Sequence, residues 1–350
     1  MPDQLLTNLV NRGYPKLAQF VTTLSADSSA FFYSFLGEIP NPSVLLNRLE
    51  DILIDVTGED MVEIAEADQL RGVFLSAISG SSFLSSIIRR NPGLAKKVFI
   101  ERGCFQFKDL ERKELEIGNL TIGVKQPAEF DRMLRLYKEE EYLRIGARDL
   151  AGLAEVTEVM KELSDLACSV IRASMDYHFK RLIHKHGAPP GLDKGMGVVA
   201  LAMGKLSGKE LNFSSDIDLI FLRVPEEGWT EGPARISVSQ FYESLVRSAS
   251  RSLSEATEDG FVFRVDLRLR PEGEKGELVP SVANALDYYL AWGRTWERAA
   301  LMRAIPVAGD EQSGFEFLKD LEPFIYRKHL DYSTLDDIRE MKAKIESQLR

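Results

Sequence analysis

Residues 198–221 narrow the fold more than any other stretch of the chain. Val198-Val199-Ala200-Leu201-Ala202-Met203 is a short apolar run that reads as a buried strand. A glycine-rich turn follows, Gly204-Lys205-Leu206-Ser207-Gly208. About ten residues further on, Asp216-Ile217-Asp218-Leu219-Ile220-Phe221 reads as a second strand. Side chains alternate along a strand, so Asp216, Asp218 and Ile220 share one face, and Ile217, Leu219 and Phe221 the other. Neighbours on one face lie roughly 7 Å apart by strand rise, close enough for two carboxylates to ligate the same hard cations. Like charges at that spacing repel, and a divalent ion relieves the repulsion. The pattern therefore points to a metal site.

A third acid supports this. From Phe261 to Pro271 the chain alternates between an apolar set (Phe261, Phe263, Val265, Leu267, Leu269) and a charged set (Arg264, Asp266, Arg268, Arg270). This predicts a strand on which Asp266 completes a three-acid site. The guanidinium groups beside it have planar donor forks that match phosphate oxygens. An exposed edge strand whose Arg and Asp pair with each other is the plainer alternative for this segment taken alone.

Together, the glycine turn, Asp216-Ile217-Asp218 and Asp266 resemble the polymerase-β-type nucleotidyltransferase superfamily. Three longer stretches, Met203–Phe221, Gly260–Pro271 and Trp296–Arg303, resemble the bifunctional glutamine synthetase adenylyltransferase/adenylyl-removing enzymes. Weaker likeness begins near Ser82 and includes Asn91-Pro92 and Arg144–Leu150. The resemblance implies an α+β fold, a mostly helical chain around a small mixed-sheet, polymerase-β-like core. It implies residues 1–129 as an N-terminal helical domain, 130–310 as the core with a long leading helix, and 311–350 as the start of a truncated helical region. The motif set occurs once, and its wording is closer to the amino-terminal, adenylyl-removing half of the family, so an excised domain is expected.

By the same resemblance, Asp216, Asp218 and Asp266 are the catalytic residues and hold Mg²⁺ or Mn²⁺. Gly204, Lys205, Ser214, Ser215, Arg268 and Arg270 contact the nucleotide (AMP, ADP or ATP) and inorganic phosphate. The expected reaction removes AMP from a tyrosine of glutamine synthetase by phosphorolysis. Glutamine synthetase is then a partner, and so is a PII-type signal protein. Attachment of AMP from ATP, a regulatory module binding PII-type proteins, and AMP transfer to another acceptor are the alternatives. Three positions depart from the family pattern: Ser207 in place of a glycine, Ile305 in place of an arginine, and Glu139-Glu140-Glu141 in a segment that is usually Arg-rich.

The net charge of −10 argues against non-specific nucleic-acid binding, which needs a basic surface. Cys104 and Cys168 have no metal-type spacing and read as buried thiols in a reducing cytosol. Met1-Pro2-Asp3-Gln4-Leu5-Leu6 opens without a basic region and a long apolar run, and no stretch is apolar enough to span a bilayer. A soluble, cytoplasmic protein with no membrane partner is expected.

Residues 1 to about 190 read as helices. Asn41-Pro42 opens one through Leu45, Leu49, Ile52, Leu53 and Val56, and further patterns run through Val73–Ile78 and Phe83–Ile88. Leu120–Val124 reads as a loop or short strand, and a long helix over 130–186 is expected to break at Gly146 or Gly152. Glu139–Glu141 reads as a solvated face, with Glu140 and Arg144 paired at i,i+4. His178, His184 and His186 read as near-surface residues at a helix end rather than zinc ligands. Gly187–Gly195 is a linker-like turn cluster. Gly195-Met196-Gly197-Val198-Val199-Ala200 matches a dinucleotide fingerprint in letters only, because its glycines precede the strand instead of following it. Helices are expected over 237–257, 282–303 and 311–350, with a mobile loop at Glu272–Glu277.

Overall fold

The computed structural model describes residues 2–56, 58–192 and 195–326, with isolated positions beyond. Most of the helix expected over 311–350, and Asp193-Lys194 of the turn cluster, lie outside the described residues. Contacts divide the chain into two units, residues 1–108 with 136–162 and residues 109–135 with 163–350. These limits differ from the expected 129/130 and 310/311 boundaries. The helix Pro127–Leu150 is shared, its later part grouping with the amino-terminal helices. No single helix among the described residues is long and apolar enough to cross a membrane.

The first unit is helical. Pro42 starts the helix Pro42–Asp55, which buries Leu45, Leu49 and Ile52 as its spacing predicts. Asp68–Gly80 buries Val73, Phe74, Ala77 and Ile78, and Ser82–Arg90 buries Leu84, Ile87 and Ile88 while Phe83 stays largely exposed. The long helical stretch breaks at Gly152, whose φ of +68° suits a residue without a Cβ. Gly146 sits inside an unbroken helix, and a Cβ there would lie 2.8 Å from Leu84 Cδ1. That glycine serves close packing.

Glu139–Glu141 is buried, contrary to the solvated face expected of it. Glu141 and Glu162 expose no surface and Arg144 about 1%. The Arg144 guanidinium donates to Glu141 Oε1 at 3.0 Å and Oε2 at 2.7 Å, to Glu162, and to the Gln106 carbonyl at 2.6 Å. Lys108 Nζ donates to Glu141 Oε1 at 2.8 Å, Lys97 Nζ to Glu140 at 2.5 Å, and Arg90 to Glu139. Arg144 therefore pairs at i,i+3 with Glu141, not with Glu140. Burial opposes its charge, yet the two glutamates outweigh burial and hold its pKa above the usual value.

The second unit carries the sheet: β1 (Val198–Ala202), β2 (Ile217–Arg223), β3 (Val265–Asp266) and β4 (Ile305–Gly309), in the order β3-β2-β1-β4. β1 pairs antiparallel with both β2 and β4, and β2 pairs parallel with β3. Val199, Leu201, Met203, Ile220 and Leu222 form one sheet-face core with Ala285, Tyr289, Phe317 and Phe324 from the helices Val282–Trp292, Glu311–Asp320 and Glu322–Ile325. β4 is a strand that sequence reasoning did not anticipate. Its Pro306 lacks an N–H, and the β1–β4 register slips at that point, between Ala200 and Leu201.

The false dinucleotide fingerprint has a structural role. Met196 N and Gly197 N both donate to the Asp310 carboxylate at 2.8 Å, tying the entry of β1 to the end of β4. Gly195 and Gly197 have φ of +99° and +66°, and a Cβ on either would lie 2.2 Å from Asp310 Oδ1 and Tyr242 Oη respectively.

Elsewhere in this unit, Leu110–Thr121 is a helix, and Leu120–Val124 holds its end and a turn. Ser237 caps Val238–Ser254 through a capping box with Gln240. Of His178, His184 and His186, the first is buried rather than near-surface, its Nε2 2.7 Å from Ser252 Oγ and its ring edge-on to Phe130 and Tyr177. Burial, with Arg181 and Arg251 nearby, pushes the imidazole down to about 4.

Arg144→Met removes the guanidinium that buried Glu141 and Glu162 share, and should lower the unfolding free energy by about 3–5 kcal/mol in urea titrations. Arg247→Ala, which removes the exposed i,i+4 pair with Glu243, should leave it unchanged within error. For His178, the unfolded ring titrates near 6.5 and the folded ring near 4, so the unfolded chain takes up the proton first as pH falls. The stability present above about pH 6.5 is then lost towards pH 4. His178→Gln should remove roughly 1–2 kcal/mol of the loss between pH 7 and pH 5. An unchanged pH slope in the variant would contradict this assignment.

Candidate functional site

The three aspartates lie near one another at the start of β2, where β3 pairs with it. Asp218 lies directly opposite Asp266 in the parallel β2–β3 register, and Asp216 immediately precedes β2. Asp218 is half-buried; burial raises its pKa, and the Asp266 and Asp216 carboxylates raise it further. It is the polar exception on a strand that is otherwise buried.

The glycine turn closes over this acid. Gly204 has φ +56°, and a Cβ there would lie 2.6 Å from Asp218 Oδ2. Met203 N also donates to the Asp218 carbonyl at 2.9 Å. Gly204–Ser207 forms a single helical turn, in which Ser207 Oγ donates to the Gly204 carbonyl at 2.8 Å. The serine that departs from the family pattern thus closes the turn. Lys205 is exposed on it. Lys209, at φ +54°, sends its ammonium to Asp165 Oδ1 at 3.1 Å, and Glu210 pairs with Arg303 at 2.9 Å.

Asn212 organises the loop below Asp216, a role sequence reasoning missed. Its Oδ1 accepts from Ser214 N and Ser214 Oγ at 3.1 Å and from Ser215 Oγ at 2.9 Å, while Ser215 Oγ accepts from Asn212 N at 3.1 Å. An Asn two residues ahead of a Ser pair is a readable turn signal. Both serine hydroxyls are engaged within the loop.

The arginine strand is shorter than expected. Only Val265 and Asp266 pair with β2, and residues 268–272 turn. Arg268 folds back on Asp266: its N donates to Oδ1 at 2.8 Å, and its Nε to Oδ1 at 3.0 Å and Oδ2 at 2.9 Å. These Arg268 bonds, against a smaller effect of burial, hold the Asp266 carboxyl below the usual range. Arg264, on the same charged face, pairs with Asp216 and donates to the Ser214 carbonyl at 2.5 Å. Arg270 donates to the carbonyls of Leu267 at 2.8 Å and Glu274 at 3.1 Å, bracing the loop that carries the Gly273–Lys275 turn. Glu297 accepts from Tyr288 Oη at 3.1 Å and from Arg294 N at 2.8 Å, and Arg298 lies over the Phe324 ring at 5.2 Å.

The donor set suits a hard divalent cation, since it is carboxylate oxygen throughout and Asp218 carries a charge its neighbours disfavour. Among the described residues no three Asp, Glu, His or Cys side chains are gathered into a metal-holding group. Two of the three acids are turned onto arginines.

Residues 72–320 match the family model for glutamate-ammonia ligase adenylyltransferase. A protein of Nitrosococcus oceani is 44% identical over 316 residues, covering 88% of this chain and 32% of its own length. One of Thioalkalivibrio sulfidiphilus is 39% identical over 270 residues (76% and 28%), and one of Pseudomonas putida 37% identical over 318 (87% and 32%). Each is named a bifunctional glutamine synthetase adenylyltransferase/adenylyl-removing enzyme. The chain thus spans about a third or less of the length of these curated relatives. With the family model matched across the sheet, the glycine turn and all three aspartates, the chain belongs to the glutamate-ammonia ligase adenylyltransferase family.

Proposed function

We propose that this chain removes AMP from an adenylylated tyrosine of glutamine synthetase by phosphorolysis. The observation that carries the proposal is the Asp218–Asp266 register, with Asp216 beside it and the Gly204 backbone against Asp218. The direction of reaction rests on the wording of Leu211–Asp218 and Phe263–Pro271, which resembles the adenylyl-removing half of the family. Control by a PII-type signal protein belongs to the same reading and rests on that resemblance alone.

In the reaction, an oxygen of inorganic phosphate attacks the α-phosphorus of the tyrosine-linked AMP. The new P–O–P bond gives ADP, the bond from phosphorus to the tyrosine oxygen breaks, and the phenolate takes a proton from water. Asp216, Asp218 and Asp266 would hold Mg²⁺ or Mn²⁺, which supplies charge neutralisation at the phosphate and at the departing phenolate. The protein's own share is mainly positioning and electrostatics. Gly204 and Lys205 offer main-chain donors and an ammonium to the nucleotide phosphate, on a turn that only a glycine can bring this close to Asp218. Ser214 and Ser215, on the loop held by Asn212, would meet the same phosphate by giving up their bonds to Asn212 Oδ1. Arg268 and Arg270 receive the attacking phosphate.

The test is to incubate adenylylated glutamine synthetase with this chain, Mg²⁺ and inorganic phosphate, and to follow ADP by chromatography. ADP should form, and unmodified glutamine synthetase with ATP should gain no AMP. AMP incorporation in the second reaction would reverse the assigned direction. Asp216→Asn and Asp218→Asn should each lower the rate by about 10³-fold. Asp218→Asn should also hold or raise the thermal midpoint, because it removes a carboxylate that burial and two neighbouring acids disfavour. A variant that keeps wild-type turnover would remove its aspartate from the site.

A further inference from the structure

Two of the three aspartates are hydrogen-bonded to an arginine each, while Asp218 feels Arg268 only through its charge. Arg264 holds Asp216, and also reaches the Ser214 carbonyl at 2.5 Å. Arg268 holds both oxygens of Asp266 through its Nε, at 3.0 and 2.9 Å. Asp218, opposite Asp266 in register, meets the Gly204 backbone instead. Both arginine side chains are mostly exposed, 55% for Arg264 and 70% for Arg268. Exposed ion pairs are weak and long side chains re-orient freely in water, so neither clasp is costly to open. Both are nevertheless placed where three crowded carboxylates need positive charge.

We propose that Arg264 and Arg268 are exchangeable counter-cations of the acidic site: they compete with a divalent cation for Asp216 and Asp266, and when displaced they bind phosphate. The proposal rests on the reading of the three acids as a metal site. Asp218 is the fixed ligand, held by the strand and the glycine turn, while Asp216 and Asp266 exchange an arginine for the cation. A guanidinium released from one carboxylate keeps its planar fork and its full charge, which suits two oxygens of a phosphate. Metal and phosphate would then favour each other's binding, a coupling that must be reciprocal.

The experiment titrates Mn²⁺ into the intact chain at low ionic strength, with free Mn²⁺ read by electron paramagnetic resonance. Wild type, Arg264→Gln, Arg268→Gln, the double variant and Asp218→Asn are compared. Circular dichroism and thermal midpoints report that each is folded. Removing a competing positive charge should tighten Mn²⁺ binding by about tenfold in the double variant, and by less in each single one. Equal or weaker binding in the double variant, with Asp218→Asn abolishing binding, would overturn the exchange while leaving the metal site standing. Binding that is absent in wild type, or indifferent to Asp218→Asn, would remove the metal site and the exchange with it. Inorganic phosphate is titrated by calorimetry with and without Mn²⁺. Wild type should bind phosphate several-fold more tightly with Mn²⁺, and the double variant should lose most of that gain. A gain that survives in the double variant would overturn the arginines' second role. Arg264→Lys with Arg268→Lys keeps the charge without the fork, and should restore wild-type Mn²⁺ affinity but not the phosphate coupling.

Discussion

Three carboxylates crowded at one sheet edge are the constraint around which the second unit is arranged. Strand pairing places Asp218 opposite Asp266, where the main-chain ladder, not side-chain preference, sets their separation. Charge so confined is offset from several directions. Arg264 and Arg268 approach from the solvent side, and Asn212 holds the loop that leads into Asp216. The Gly204 backbone occupies space that any side chain would block. Beneath them, Ile220 and Leu222 continue the Asp218 face into the apolar core. The same strand is therefore an apolar scaffold at one end and an acidic edge at the other.

The helical unit meets a related problem with the opposite solution. Glu141 and Glu162 there are sealed from solvent, so each needs a permanent partner. Glu141, Glu162, Arg144 and Lys108 interlock, and the Gln106 carbonyl takes one further donor. Buried networks of this kind add little net stability compared with an apolar core, yet penalise any arrangement that leaves one member unpaired. They favour one packing over its near neighbours.

What could be read from the sequence follows from how local each determinant is. The placement of Asp218 opposite Asp266 was legible because strand periodicity is two residues, and the turn glycine because it stands beside the strand it serves. The helices around Leu45 and Val73 were legible for the same reason, their spacing being set within a few turns. The Glu139–Glu141 run misled because its partners lie 30 to 50 residues away, at Lys108, Lys97 and Arg90. Local pattern cannot tell a glutamate paired across the fold from one in water. The arginine strand misled because alternation continues past the point where hydrogen bonding stops. Arg268 curls onto the acid two residues before it and takes the chain out of the sheet. β4 was invisible because five residues, one a proline, are too few for a period to show.

The clasp of Asp310 on Met196 and Gly197 has a consequence for how this sheet is assembled. It joins groups 113 and 114 residues apart, and β4 reaches β1 only after β2, β3 and the helices between them have been made. Until then β1, buried along its whole length in the finished unit, has an unpaired row of N–H and C=O groups along one side. Such an edge pairs readily with any extended segment nearby, and non-local closure of this kind is slow. During synthesis β1 is thus open to intermolecular association, and it is relieved only when Ile305–Gly309 docks.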